Sequence, residues 1–220
     1  VIKKPGSSIS VGFQLLKDGG IDAFSSAGNT GAMLVGSVLS VKTIEGVLRP
    51  AMSTNVPKLT GGFGLLVDVG ANADCKPEYL PQFGVLGSLF AETVYHMPNP
   101  RVSLLNIGEE EEKGNALCQA VYPLMKDNPN FNFVGNIEGR DLFSDVADVY
   151  VTDGFTGNVA LKMAESFYVI SLKKQIKDEF FARFNYEQYG GSPILGSNAP
   201  VVVGHGISSP EAIKNMVLLS

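Results

Sequence analysis

Short apolar runs alternate with longer amphipathic stretches along most of this chain. Positions 11–17 place Val11, Leu15 and Leu16 on one helical side, and Gly19-Gly20 ends that helix. Positions 21–25 read as a strand, and so do 65–69, which run into Gly70-Ala-Asn-Ala-Asp74. A helical pattern covers 77–95, a strand 102–107, and a second helix 112–126, with Leu117, Val121 and Leu124 apolar. Phe133-Val134 leads into a polar loop at 135–140, and 147–152 is a further strand. A helix starts by 159, and Val201-Val-Val203 closes the series. Strand–helix alternation of this kind predicts an α/β fold with a largely parallel sheet and helices on both faces.

Polar residues gather where the predicted strands stop. Ser26, Asn29 and Thr30 follow the first; Asp68, Asn72 and Asp74 lie at or behind the second. Asn106, Glu109 and Glu110 follow the third, and Asn136, Glu138, Arg140 and Asp141 the fourth. Asp153, Thr156 and Asn158 follow the fifth. Open α/β sheets bind ligands outside the carboxyl ends of their strands, so these loops predict the rim of a site. Each residue alone has a plainer explanation, because Asp, Asn, Ser and Thr also cap helices. Two loops, Ser26-Ala-Gly-Asn-Thr-Gly31 and Asp153-Gly-Phe-Thr-Gly-Asn158, join a strand to a helix through glycine. Amides and a helix N-terminus converge in such loops, which suits phosphate.

Composition narrows the chemistry. A net charge of −5 over 220 residues argues against nucleic acid. Two cysteines, Cys75 and Cys118, and two histidines, His96 and His205, form no metal-ligand spacing. Neither a metal nor another cofactor is expected, and reduced thiols point to the cytoplasm. No apolar run reaches the length of a membrane span.

Seven motifs occur in order: Ser26-Ala-Gly-Asn-Thr-Gly-Ala32, Asp68-Val-Gly-Ala-Asn-Ala-Asp-Cys-Lys-Pro77, Arg101-Val-Ser-Leu-Leu-Asn-Ile-Gly-Glu-Glu110, Gly135-Asn-Ile-Glu-Gly-Arg-Asp141, Asp153-Gly-Phe-Thr-Gly-Asn158, Tyr189-Gly-Gly-Ser-Pro-Ile-Leu-Gly196 and His205-Gly-Ile-Ser208. Together they resemble the bacterial phosphate acyltransferases of phospholipid synthesis, the PlsX family, over essentially the whole chain. The resemblance implies a three-layer α/β/α sandwich with a mixed, largely parallel sheet, like the isocitrate/isopropylmalate dehydrogenases and phosphotransacetylases. It implies one catalytic domain over 1–220, a protruding helical element at 159–188, and a homodimer. It also implies transfer of a fatty acyl group from acyl-carrier protein to inorganic phosphate. A membrane glycerol-3-phosphate acyltransferase would consume the product for phosphatidic acid synthesis. The family's opening strand and Asp-x-Met-Gly-Gly-Asp loop do not precede Val1, so a further N-terminal segment is expected. Ser103 stands where the family has Gly, and Ser197 where it has an aliphatic residue.

Phosphate is a competent nucleophile and a thiolate a good leaving group, so the protein must mainly align reactants and stabilise an oxyanion. Ser26, Gly28, Asn29, Thr30, Gly31, Thr156 and Gly157 are the expected phosphate ligands, with Arg140 as a bidentate clamp. Asn158, Lys162 one turn later, Asp153 and His205 are the expected catalytic group. His205 is either a proton or oxyanion donor or a histidine anchored in its turn. Asp68, Asn72, Asn106, Glu109, Asn136 and Glu138 form the expected rim. Lys76 beside Cys75 would lower that thiol's pKa, but no Cys–His pair supports an acyl-cysteine. Over 171–187, Ile176, Phe180 and Phe184 repeat at helical spacing beside Phe181, with Lys173, Lys174, Lys177 and Arg183 nearby. This segment reads as an amphipathic helix for an anionic membrane surface or for the dimer partner. Two other classes compete: a nicotinamide- and metal-dependent decarboxylating dehydrogenase using Asp68, Asp74 and Asp153, and a non-catalytic membrane scaffold.

Overall fold

The computed structural model describes Lys4 and residues 6–220, with Tyr186 described by its backbone alone. In chain order the helices are α1 (Ser8–Lys17), α2 (Thr30–Gly36), α3 (Tyr79–Tyr95), α4 (Ala116–Lys126), α5 (Gly154–Lys174), α6 (Glu179–Ala182) and α7 (Pro210–Leu219). The strands are β1 (Phe24–Ser26), β2 (Ala51–Pro57), β3 (Phe63–Val67), β4 (Arg101–Asn106), β5 (Asn132–Glu138), β6 (Val149–Val151), β7 (Ser192–Leu195) and β8 (Val201–Val203).

These elements group into two compact units, Val1–Met52 with Tyr186–Ser220, and Ser53–Asn185. The sequence reads as one domain over 1–220; strand β2 belongs to both units. In the first, β1 pairs parallel with β8, β8 antiparallel with β7, and β7 antiparallel with Ala51 and Met52 of β2. In the second, residues 53–57 of β2 pair antiparallel with β3, and β3, β6, β4 and β5 follow in parallel order. The fold is α/β, with a mixed, mostly parallel sheet and helices on both sides.

The parallel strands are buried on both faces, as crossover packing requires. Leu65, Leu66 and Val67 of β3, Val102 and Leu104 of β4, and all of β6 are 0–1% exposed. Phe83 of α3 and Val121 and Met125 of α4 are fully buried as well. Where a helix and a strand approach closely, small residues make room. A Cβ on Gly87 of α3 would lie 2.7 Å from Val149.

Sequence reading missed β2 and β7. Both are antiparallel, and both break the apolar-run signal. Ser53-Thr-Asn55 puts three polar residues inside β2, while β7 holds Pro193 and is flanked by Gly190-Gly191 and Gly196. The amphipathic helix expected over 171–187 does not form. Gln175 takes a left-handed conformation (φ 55°) and caps α5; α6 restarts at Glu179 behind Asp178, whose carboxylate accepts from the amides of Phe180 and Phe181. Ile176 therefore lies between helices, and α5 itself begins five residues before 159.

Candidate active site

The loop after β1 turns into α2 through side-chain caps. Ser26 Oγ accepts from the Gly28 amide at 3.1 Å, and Asn29 Oδ1 accepts from the Ala32 amide at 2.9 Å. The amides of Thr30 and Gly31 lie in the first turn, where a helix offers no acceptor, and no protein acceptor is seen for them among the described residues. Gly28, Asn29, Thr30 and Gly31 are all exposed. This loop therefore presents open donors at a positive helix end.

His205 follows β8, the parallel neighbour of β1. The Gly204 amide donates to the Ser26 carbonyl at 2.9 Å, which sets His205 beside the Ser26–Gly31 loop. A Cβ on Gly204 would lie 3.6 Å from Ala27 and 2.7 Å from the Met216 sulfur, so the chain passes too closely for most side chains. The His205 carbonyl accepts from both the amide and the hydroxyl of Ser208, at 3.0 and 2.6 Å. That turn holds the backbone and leaves the imidazole at the exposed edge.

The second glycine loop is built differently. Asp153 caps α5 with Oδ1 accepting from the Thr156 amide at 2.8 Å, and Oδ2 accepts from the Thr156 hydroxyl at 2.8 Å. The Gly154 amide donates to the Asn72 carbonyl at 2.8 Å, and the Gly157 amide to the Asp153 carbonyl at 3.0 Å. Three first-turn amides are thus already satisfied by the protein. Gly157 is buried, and a Cβ there would lie 1.9 Å from the Asp68 carbonyl oxygen. Gly154 and Gly157 let α5 dock on the β3 end. That is why they are glycine, and it corrects the expectation of Gly157 as a phosphate ligand.

Asp68 is fully buried. Its Oδ1 accepts from the amides of Gly70 and Ala71, and its Oδ2 from the Asn72 amide at 2.7 Å and the Asn72 Nδ2 at 2.9 Å. The chain's own carboxylate thus fills this nest of amides. Asn158 Nδ2 donates to the Val69 carbonyl at 3.0 Å, tying α5 to the same loop. Asn158 positions the loop and does not face open space through this amide. With Asp68 and Asp153 committed to backbone amides, Asp68, Asp74 and Asp153 do not assemble a metal trio, and no such group occurs among the described residues.

Asn106 and Asn136 hold the glutamate-rich loop. Asn106 Nδ2 donates to the Lys113 carbonyl, and Asn136 Nδ2 to the Glu110 carbonyl at 2.8 Å. Glu109, Glu110, Glu138 and Arg140 then line one open groove. Arg140 meets Glu138 at 3.1 Å and is 72% exposed. Three carboxylates around one guanidinium repel an anion, which speaks against Arg140 as a phosphate clamp. Lys162 pairs with Glu165 at 2.8 Å. Burial, with Asp68, Asp153 and Asp74 nearby, pushes the Cys75 thiol up to about 12 against the opposing hydrogen bond with the Gly154 backbone; burial also raises Cys118. Neither is a thiolate near neutral pH.

Of the segment expected at the membrane or dimer surface, Phe184 is buried at 5% exposure and packs edge-on against Phe143, Phe167 and Phe180 at 5.0–5.4 Å. It is a core residue, because α6 folds back on α5. Phe180 and Phe181 are half-buried, and Ile176 is 47% exposed.

Sequence reading missed one cluster at the opposite sheet edge. Lys58, only 5% exposed, meets Asp145 at 2.8 Å and Asp148 at 2.7 Å. Arg101 contacts both aspartates at 2.9 Å, and Arg183 donates to the carbonyls of Lys58 and Gly62. Burial works against the Asp148 charge, but Arg101 and Lys58 outweigh it and hold the carboxyl well below the usual range; they lower Asp145 as well. The acids and bases are far apart in sequence, so no local motif announces them.

Solved structures share this α/β scaffold. A phosphotransacetylase from Streptococcus pyogenes superposes with a TM-score of 0.67 at 16% identity, over 95% of this chain and 65% of that one. A branched-chain phosphotransacylase from Enterococcus faecalis also gives 0.67 at 16%, over 97% and 79%. At that identity the likeness establishes the fold. The family model described as "Fatty acid synthesis protein" matches residues 1–180. The phosphate acyltransferase of Dictyoglomus thermophilum is 42% identical over 240 residues, covering all of this chain and 71% of the relative. That of Desulforudis audaxviator is 46% identical over 237 residues, covering 99% and 70%. The chain belongs to this phosphate acyltransferase family and is an acyltransferase; the family's name makes phosphate the acceptor.

Proposed function

We propose that this protein transfers a fatty acyl group from an acyl-carrier-protein thioester to inorganic phosphate. The carrying observation is the contrast between its two glycine loops: one gives the amides of Gly154, Thr156 and Gly157 to the chain's own oxygens, while Asn29-Thr-Gly31 keeps the Thr30 and Gly31 amides open beside His205. Phosphate is held on the Thr30 and Gly31 amides and the Thr30 hydroxyl. A phosphate oxygen attacks the thioester carbonyl, a carbon–oxygen bond forms, and the carbon–sulfur bond then breaks. His205 donates a proton to the departing thiolate. The products are an acyl phosphate and the carrier thiol. Cys75 takes no covalent part, since a thiol of pKa about 12 is almost wholly protonated near pH 7.

Asp153, Asn158 and Asp68 serve by locking the β3 and β6 loops together, and Lys162 lies one turn further along α5. The acyl phosphate is a substrate for a membrane acyltransferase on the route to phosphatidic acid. The protein works in the cytoplasm as a homodimer in peripheral contact with the membrane. Among the described residues no helix is long and apolar enough to cross a membrane.

The decisive experiment incubates the protein with palmitoyl-acyl-carrier protein and phosphate, scoring acyl phosphate and free thiol together. Phosphate-dependent release of both in equal amounts is expected. Thiol release without acyl phosphate would make the protein a thioesterase and overturn the reading.

A further inference from the structure

His205 is flanked by glycine on both sides, and the two glycines differ in kind. A Cβ on Gly204 would press on the Met216 sulfur at 2.7 Å, so close packing against α7 explains that one. A Cβ on Gly206 would meet the Ala27 carbonyl oxygen at 3.8 Å, an ordinary contact, and Gly206 does not take the left-handed conformation. Neither its backbone nor the space left by the described residues demands glycine there. Gly206 leaves the chain a wide choice of backbone states next to His205.

The restraint on that turn lies two residues further on. The His205 carbonyl accepts from the Ser208 amide at 3.0 Å and from the Ser208 hydroxyl at 2.6 Å. The amide bond alone closes a turn over residues 205–208. The cap of α7 is a different residue, Ser209, whose hydroxyl oxygen accepts from the Ala212 amide at 3.3 Å. The Ser208 hydroxyl is therefore needed neither to close the turn nor to start the helix. It adds a second bond to the carbonyl of the residue whose imidazole is assigned to proton transfer. On the other side, the Gly204 amide donates to the Ser26 carbonyl at 2.9 Å and ties the same stretch to the loop with the open amides. His205 is thus held from both sides, with Gly206 as the one loose joint between it and Ser208.

We propose that Ser208 is a positioning residue for acyl transfer: its hydroxyl fixes the His205 backbone so that the imidazole meets the departing sulfur. The inference rests on the reading that His205 protonates that sulfur. As the carbon–sulfur bond breaks, sulfur keeps the electron pair and takes the proton from the His205 N–H, and the imidazole regains a proton from solvent. Ser208 touches no reacting atom and exchanges no proton. It narrows the range of positions open to the general acid, and proton transfer requires hydrogen-bond reach.

The test uses two small acyl donors, the butyryl thioesters of N-acetylcysteamine and of thiophenol. The alkyl thiolate needs a proton as it leaves, and the aryl thiolate leaves without one. Ser208→Ala should lower kcat on the alkyl donor about tenfold, leave the KM for phosphate unchanged and spare the aryl donor. His205→Gln should show the same split more strongly. Ser208→Thr keeps the hydroxyl and should restore the alkyl rate. Gly206→Ala added to Ser208→Ala should recover part of the loss by stiffening the joint. Circular dichroism and denaturant titration check that each variant folds. A Ser208→Ala variant as fast as the parent on the alkyl donor overturns the inference. So does an equal loss on both donors, which would make Ser208 a matter of folding, or a loss that neither Ser208→Thr nor Gly206→Ala relieves, which would put the hydroxyl on the substrate itself. A parent that releases thiol from neither donor in the presence of phosphate removes the proposed reaction and the inference with it; an active parent with an unaffected Ser208→Ala removes the inference alone.

Discussion

At the residue scale, the site turns on which amides are already occupied. Asp68 and Asp153 supply the chain's own carboxylates to the β3 and β6 loops, and each occupies donors that an anion would otherwise use. The loop after β1 has neutral caps, Ser26 and Asn29, and these leave Thr30 and Gly31 open. Thr30→Pro isolates the amide. Proline suits the first helical position, and Asn29 already has the extended conformation (φ −64°, ψ 120°) that a following proline demands. Thr30→Pro should raise the KM for phosphate about 10- to 100-fold, the worth of a hydrogen bond to a charged group. Thr30→Val, which keeps the amide, should raise it less. Equal KM values in Thr30→Pro and the parent would remove the phosphate from this loop. Arg140→Ala, by contrast, should leave that KM within about twofold, because an exposed guanidinium paired to Glu138 contributes little. A large rise in Arg140→Ala would mean that Arg140 leaves Glu138 for phosphate during the reaction.

At the element scale, the glycines of the two loops separate by what lies opposite them. A Cβ on Gly157 meets a backbone oxygen at 1.9 Å, which no side-chain rotation relieves, whereas a Cβ on Gly31 meets only Asn29 Oδ1 at 3.4 Å. Gly157→Ala should therefore cost about 3 kcal/mol through overpacking. Gly31→Ala should be neutral or slightly stabilising, since Ala is the better helix former. Chemical denaturation of both variants checks the pair, and a tolerated Gly157→Ala would mean that α5 can slide on the β3 loop. The same contrast shows where sequence reading reached and where it stopped. Apolar runs bounded by glycine placed β3, β4, β6, β8, α3 and the strand-end rim, because local pattern and tertiary packing agree there. Both glycine loops looked alike in sequence. Telling them apart requires knowing that Asp153 folds back on Thr156 and that Asn72 reaches Gly154, contacts that no spacing rule encodes. The 171–187 helix failed for a related reason. Its apolar period was real, but Phe184 serves a local aromatic cluster with Phe143 and Phe167, and the chain breaks at Gln175 to bring it there.

At the scale of the whole molecule, the larger unit keeps its buried charge network and its polar loops at opposite ends of its parallel strands. The carboxyl ends carry the polar loops. The amino ends carry the network of Lys58, Arg101, Asp145 and Asp148, where β4 starts, β6 is about to start and the antiparallel β2 has just ended. Two bases and two acids balance one another, so the buried Lys58 ammonium is neutralised on the spot. The pH dependence follows from the direction of the shifts. Asp148 titrates lower in the folded state than in the unfolded chain. Its contribution is therefore fully present above the unfolded value of about 3.9 and is lost as pH falls through that value toward the folded one. Asp148→Asn removes the charge and should destabilise the protein at pH 7 by about 2 kcal/mol, mainly through the partners it leaves under-satisfied. The gap between the parent and Asp148→Asn should start to close below about pH 4 and go on closing toward pH 2, because the parent's own carboxyl is then being protonated. Denaturant titrations of both proteins at pH 7, 5, 4 and 3 provide the measurement. A gap that stays constant from pH 7 to pH 3 would mean that Asp148 acts through packing and not through its charge, and the amino-end network would lose its role as the acid-sensitive clamp of this sheet.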